Sequence, residues 1–118
     1  MRKPLAFALI VITLPMWSFC QQSAIDSLKQ ILFSSKADTE KVVLLCKCCD
    51  EYLYLGSNND SANACAERAL HLAKAANFQK GIAKSLISMA KVSRRKDDYA
   101  TAVQHTLEAL KIAERMAD

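Results

Sequence analysis

Glycine, proline and aromatic side chains are scarce in this chain. Its 118 residues contain two Gly and two Pro, and aromatic residues make up 7%. Both prolines precede Gln21, so no proline interrupts a helix beyond that point. Two glycines leave little room for a Gly-rich phosphate-binding loop, and we find no other catalytic motif. With 52% hydrophobic residues, the composition favours one small all-α domain that has neither an active site nor a cofactor.

The first twenty residues have the pattern of an export signal. Two basic residues precede an apolar run over residues 5–16, which is shorter than the roughly 20 residues of a membrane-spanning helix. Ser18 and Cys20 then place small residues at the positions that a signal peptidase requires. We therefore predict a signal peptide over residues 1–20, cleavage after Cys20 and a periplasmic location. An uncleaved anchor, or a lipid attached to Cys20, is the alternative, although Phe19 is bulky for a lipoprotein motif.

Net charge indicates little about the partner. The chain has 16 basic and 12 acidic residues, a formal charge of +4. Two of the 16 basic residues, Arg2 and Lys3, lie in the signal, which leaves 14 against 12. So small an excess predicts no nucleic-acid partner.

Polar clusters divide the remaining chain into helical segments. We predict an N-terminal capping helix and linker over residues 21–37, a first repeat over 38–77 and a second over 78–118, with two helices in each repeat. The helix turns are expected at residues 34–36, 56–59, 76–77 and 94–97. Asp38, Asp60 and Asp97 precede apolar runs and are the predicted N-caps of three helices.

Apolar residues recur at helical spacing and repeat at a fixed period. Ala62, Ala69 and Leu70 recur 40 positions later as Ala102, Ala109 and Leu110. A helix–turn–helix unit that repeats must stack on its neighbours to bury its apolar face. The predicted stripes are Val42, Leu45, Cys49 and Tyr52; Ala62, Ala66, Ala69, Ala73 and Ala76; Ile82, Leu86, Met89, Ala90 and Ser93; and Tyr99, Ala102, Val103, Thr106, Leu110 and Ala113.

These residues resemble the tetratricopeptide repeat. The pattern of that family is carried in the second unit by Met89-Ala90, Tyr99, Ala102 and Ala109, and in the first by Cys48-Cys49, Tyr52, Ala62 and Ala69. The period of 40 exceeds the usual length of about 34, and the closing proline is missing. The chain resembles the exported N-terminal repeat regions of bacterial sensor histidine kinases and related regulators.

The resemblance implies a tetratricopeptide-like α-solenoid that binds other proteins and carries no catalytic residues. We expect it to be the sensory region of a truncated membrane signalling protein, with further repeats, a membrane segment and an enzymatic domain beyond residue 118. A stand-alone periplasmic adaptor is the alternative, and homodimerisation is compatible with either interpretation.

In this family the first helix of each pair lines a concave groove. Lys84, Lys91 and Arg95 are spaced by seven and four residues, so they share one helix face. The partner would be an acidic, partly apolar peptide, whereas the alternative is an ordinary solvated face balanced in part by Asp97 and Asp98. The candidate groove residues are Lys84, Ile87, Lys91, Arg94 and Arg95 in the second unit, and Val43, Cys46, Asp50, Leu53 and Tyr54 in the first.

The cysteines remaining after the signal allow three interpretations. They can pack as small apolar residues in the core, or Cys65 can form a disulfide with Cys46 or Cys49. A thiol or metal protein built on these cysteines is the third, but a fourth metal ligand is missing, so we predict no metal site.

Overall fold

Five helices make up the part of the chain that the computed structural model describes, residues 24–32, 37–56 and 58–117. In chain order, α1 covers residues 24–32, α2 is Asp38–Leu55, α3 is Asn59–Ala75, α4 is Gln79–Arg95 and α5 is Tyr99–Ala117. No strand occurs within these ranges. The all-α prediction is therefore confirmed, whereas the predicted signal peptide and the turn at residues 34–36 lie outside the described residues.

The helices pack as two consecutive antiparallel hairpins. The hairpins are α2 with α3 and α4 with α5, and they meet where α4 packs against both α3 and α2. α1 lies on the first hairpin, because Ile25 is buried and Leu32 packs against the core residues of α2 and α3. The protein is thus a helical repeat fold in which each hairpin covers part of the next one.

Each of the described turns, which follow α2, α3 and α4, contains a residue in the left-handed conformation. Gly56 ends α2 with φ 71°, and its backbone N–H bonds to the carbonyl oxygens of Tyr52 and Leu53. Asn77 and Asp97 have φ values of 51° and 61°, and the residue after each donates a 2.9 Å bond to a carbonyl five positions back. Gly, Asn and Asp are the residues that best tolerate this backbone conformation, so the predicted turns at these places have a clear local cause.

The helix N-caps differ from the three that we predicted. Asp38 and Asp60 lie in the first turn of α2 and α3, and Asp97 is the left-handed residue of a turn. The caps are Asn58, whose side chain accepts from the Ser61 N–H at 3.1 Å, and Asp98, which accepts from the Thr101 N–H at 3.2 Å. Each lies next to or within two positions of the predicted cap, because a cap needs extended backbone that the spacing does not reveal.

Small residues allow the helices of the first hairpin to pack closely. Ala62, Ala66, Ala69 and Ala73 of α3 are all 0% exposed. They pack against two groups of residues from the neighbouring helices, which are Val42, Leu45 and Cys46, and Cys49, Leu53 and Val92. Because Val92 belongs to α4, the second hairpin completes the core of the first.

Gly81 lies where α4 passes close to α2. A methyl group built on Gly81 would overlap the ring of Phe78 and would lie 3.0 Å from Cγ1 of Val42. One turn later, the buried Ser85 donates a 2.7 Å bond to the Gly81 carbonyl and lies 3.9 Å from the Cys46 sulfur. The N-terminal halves of α2 and α4 are therefore held together without a bulky side chain between them.

The stripe predicted on α5 is mostly exposed. Tyr99, Val103 and Leu110 are 60%, 58% and 51% exposed, whereas the buried residues of α5 are Ala109 and Ile112. Those two pack with Leu86 of α4. The apolar spacing on α5 thus marks a face that none of the described helices covers.

Candidate functional site

A groove opens between the C-terminal halves of α2 and α4. The two helices run in parallel, because each antiparallel hairpin returns the chain to its starting end. We call this cavity the α2–α4 groove; its volume is about 360 Å³, and its lining consists of Asp50, Leu53, Tyr54, Lys91, Arg94 and Arg95. All six were candidates from the sequence, and the fold brings them together.

The other candidates lie elsewhere. Lys84 and Ile87 are exposed on α4 but do not line this cavity. Cys46 is 8% exposed and belongs to the core, and Val43 is half-buried. Leu53 is also a core residue and is 7% exposed. It therefore forms the floor of the groove and offers little surface to a ligand.

Two of the three cations in the groove have partners within the chain. Lys91 Nζ lies 3.2 Å from Asp50 Oδ1 in an ion pair whose side chains are about half exposed. Exposed pairs of this kind contribute little stability, about 0–1 kcal/mol. Arg95 donates a hydrogen bond to the Leu53 carbonyl in the last turn of α2, which contains no basic residue of its own. Its guanidinium therefore neutralises the negative end of that helix.

Asp50 is the counter-charge of the basic face, in place of the two acids that follow α4 in the sequence. Asp97 accepts a 3.2 Å hydrogen bond from the Tyr99 hydroxyl, and Asp98 caps α5. Asp97 and Asp98 were expected to balance the basic face of α4, but their side-chain contacts are with residues of α5. Of the cations that line the groove, Arg94 is exposed and has no ion pair among the described residues.

Arg94 also lines a second, adjoining surface cavity, which sequence reasoning missed. This apolar cavity has a volume of about 290 Å³, and its other lining residues are Tyr99, Ala102, Val103, Thr106 and Leu107. Tyr99, Val103 and Leu107 are each more than half exposed. Their spacing of four was visible in the sequence, but only the packing of α5 shows that this face is open. We call this cavity with its lining residues the α5 face.

The four cysteines that the structure describes lie within or beside the core. All are free thiols in the structure, and Cys65 packs against both the cluster that contains Cys46 and the cluster that contains Cys49. Burial raises the pKa of Cys48 to about 11 and that of Cys49 to about 12, and it also raises the pKa of Cys65. Thiols with such pKa values stay protonated at neutral pH, which disfavours nucleophilic or metal-binding roles.

Among the residues that the structure describes, no group of three or more His, Cys, Asp and Glu has an arrangement that could hold a metal ion. Within the same ranges, none of the helices has the length and apolar character that crossing a bilayer requires.

Comparison of the chain with protein-family models, with curated proteins and with solved structures gave no match. The α2–α4 groove and the α5 face beside it are the surfaces that bear on function.

Proposed function

We propose that this chain is a protein-interaction module that binds a peptide segment with a carboxylate beside apolar side chains. One observation carries the proposal: Arg94 lines both the α2–α4 groove and the α5 face. A cation without an ion pair thus lies between the exposed Tyr54 of the groove and the apolar Tyr99 and Val103 of the α5 face. Tyr and Arg are the side chains that most often dominate the energy of protein interfaces.

The chemistry of the two surfaces defines the segment that would fit. A carboxylate would pair with Arg94, while flanking apolar side chains would cover Tyr54 and Tyr99, which are 82% and 60% exposed. The remaining groove charges, Asp50, Lys91 and Arg95, already have partners, so they set the shape of the site more than its charge. Such recognition of a peptide in a helical groove is a common binding mode.

The test uses synthetic fluorescent decapeptides with two Glu among Leu and Phe residues, and matched peptides with Lys in place of Glu. We expect the chain to bind the acidic peptides, more weakly at high salt, in fluorescence anisotropy titrations. Arg94→Glu should weaken this binding about tenfold, because a charge-assisted hydrogen bond is lost and a repulsion is added. Lys91 and Arg95 are poorer targets, since changing them also breaks contacts between the hairpins.

The control is Lys74→Glu, which makes the same charge change on an exposed position of α3 outside both surfaces. It should leave peptide binding unchanged. Equal binding of the lysine peptides, or equal loss of binding in both variants, would show that the site at Arg94 does not select an acidic segment.

We further propose that the chain is a tetratricopeptide-like repeat that acts outside the cytoplasm, as the sensory region of a two-component membrane kinase. The support is the resemblance of the repeat residues and the signal pattern of residues 1–20. Alkaline phosphatase fused after residue 118 should be active in a bacterial host, and deleting residues 1–20 should abolish that activity. Activity that survives the deletion contradicts export by this signal.

The second candidate is a periplasmic adaptor protein, which the open apolar face of α5 favours because a partner helix could cover it. Sequencing the coding region beyond codon 118 separates the two. A continuing frame with a membrane span and a kinase domain supports the sensor, and a stop codon supports the adaptor.

A further inference from the structure

A larger cavity lies on the opposite side of α2 from the α2–α4 groove. Its volume is about 550 Å³, and α1, α2 and α3 all contribute to it. On α2 its lining residues Lys41, Leu45, Cys48 and Tyr52 follow helical spacing, so they share one face. We call it the α1–α3 pocket. Its size lies within the range of small-molecule sites, about 300–1,000 Å³.

The wall of the α1–α3 pocket is mainly apolar. Leu45 and Cys48 are 2% exposed and form its base, and Leu32 and Cys65 are half-buried above them. Because burial raises the pKa of both thiols, they carry no charge at neutral pH and present apolar surface. Tyr52 and Ala64 complete this side of the pocket. An aliphatic chain could therefore lie against the wall without burying a polar group.

The charges that line the pocket have one sign. Lys29 of α1, Lys41 of α2 and Arg68 of α3 line it, and no carboxylate does. Lys29 Nζ lies 5.8 Å from the centre of the Tyr52 ring, which holds this cation at the pocket. Asp26 acts on the charge of Lys29 and Glu51 on the Cys48 thiol, but neither acid lines the pocket. Three helices thus direct positive charge at one apolar cavity.

We propose that the α1–α3 pocket binds a free aliphatic carboxylate, with its chain on the apolar wall and its carboxylate between Lys41 and Arg68. Charge complementarity and the neutral wall together define this ligand: a long-chain alcohol lacks the anion, and a short carboxylate lacks the chain. The pocket is separate from the α2–α4 groove and from the α5 face, so this proposal does not depend on the peptide-binding function.

Isothermal titration calorimetry of the 118-residue chain with decanoate tests the proposal. We expect saturable binding of decanoate and at least tenfold weaker binding of both 1-decanol and butyrate. Decanol binding as tightly as decanoate would overturn the role of the cations. Butyrate binding as tightly would overturn the role of the wall, and no binding of decanoate would overturn the proposal. Binding to phosphatidylglycerol vesicles but not to free decanoate would also overturn it, because the anion would then be a membrane headgroup.

Two variants locate the site. Arg68→Glu should weaken decanoate binding about tenfold, and Ala64→Phe should block the chain without changing any charge. Both positions are exposed, so both variants should keep the circular dichroism of the unchanged chain. Lys74→Glu repeats the charge change elsewhere on α3 and should bind decanoate normally. If Arg68→Glu and Ala64→Phe both bind decanoate normally, the ligand binds elsewhere and the proposal is wrong.

Discussion

α3 and α5 hold equivalent places in the two hairpins, but their similar sequences are buried differently. Ala66 and Ala73 of α3 are 0% exposed, whereas their counterparts 40 positions later, Thr106 and Ala113, are exposed. Ala69 and its counterpart Ala109 are buried in both. The cause is the number of neighbours, since α3 packs against both α2 and α4 while α5 packs against α4. An alanine stripe therefore indicates that a neighbouring helix could pack closely against it. It does not show that such a neighbour is present.

The largest change in the free energy of unfolding is expected on the packed face of α5. Ile112 is 7% exposed and packs with Leu86, whereas Leu110 is 51% exposed. We expect Ile112→Ala to lower the free energy of unfolding by about 3 kcal/mol, because it leaves a cavity. Leu110→Ala should change it by less than about 0.5 kcal/mol. Urea unfolding followed by circular dichroism measures both, and similar losses in the two variants would mean that α5 is covered on both faces.

A smaller difference in stability is expected between substitutions at two equivalent positions that are 40 residues apart. Ala66→Leu inserts a bulky side chain between α2 and α4 and should destabilise the chain by about 2 kcal/mol. Thr106→Leu places the same side chain on the open face of α5 and should change the free energy of unfolding by less than about 0.5 kcal/mol. It also replaces a hydroxyl that bonds the Ala102 carbonyl at 2.8 Å with a better helix former. Thermal unfolding of both variants tests this difference. An Ala66→Leu variant as stable as the unchanged chain would contradict it.

The smallest effect concerns the two N-caps. Asn58→Ala removes the cap of α3 and should cost about 1 kcal/mol at any pH, because an amide does not titrate. Hydrogen bonds from the side chain and the backbone N–H of Thr101 lower the pKa of Asp98 below its ordinary value of 3.8. The cap of α5 therefore stabilises the fold above about pH 4, and its contribution is lost as the pH falls below that value.

Urea unfolding at pH 7 and at pH 3 tests this difference. The stability gap between the unchanged chain and Asp98→Ala should shrink at pH 3, while the gap for Asn58→Ala should stay the same. A gap for Asp98→Ala that does not depend on pH would contradict the lowered pKa.

Within-helix spacing predicts the helices and turns of this fold, because each depends on neighbouring residues. Gly56, Asn77 and Asp97 mark the turns, and the repeat of 40 marks two similar hairpins. The caps were misplaced because adjacent polar residues such as Asp97 and Asp98 offer the same chemistry. Only the backbone conformation at each position decides which of them caps the helix.

Contacts between helices are harder to predict from the same spacing. The ion pair of Asp50 and Lys91 depends on the axial offset between α4 and α2. No residue pattern within a single helix determines that offset. The six residues of the α2–α4 groove were among the ten candidates that the resemblance to the repeat family implied. The α1–α3 pocket could not be predicted, since its cations come from three helices whose mutual packing the sequence does not reveal.

The absence of a side chain at Gly81 has a consequence for the junction between the two hairpins. Because a methyl group there would overlap the Phe78 ring and lie 3.0 Å from Cγ1 of Val42, a larger residue at position 81 would have to displace the ring or α2. α2 and α4 also line the α2–α4 groove in their C-terminal halves. A substitution at a buried glycine outside the groove can therefore alter the groove without changing any residue that lines it.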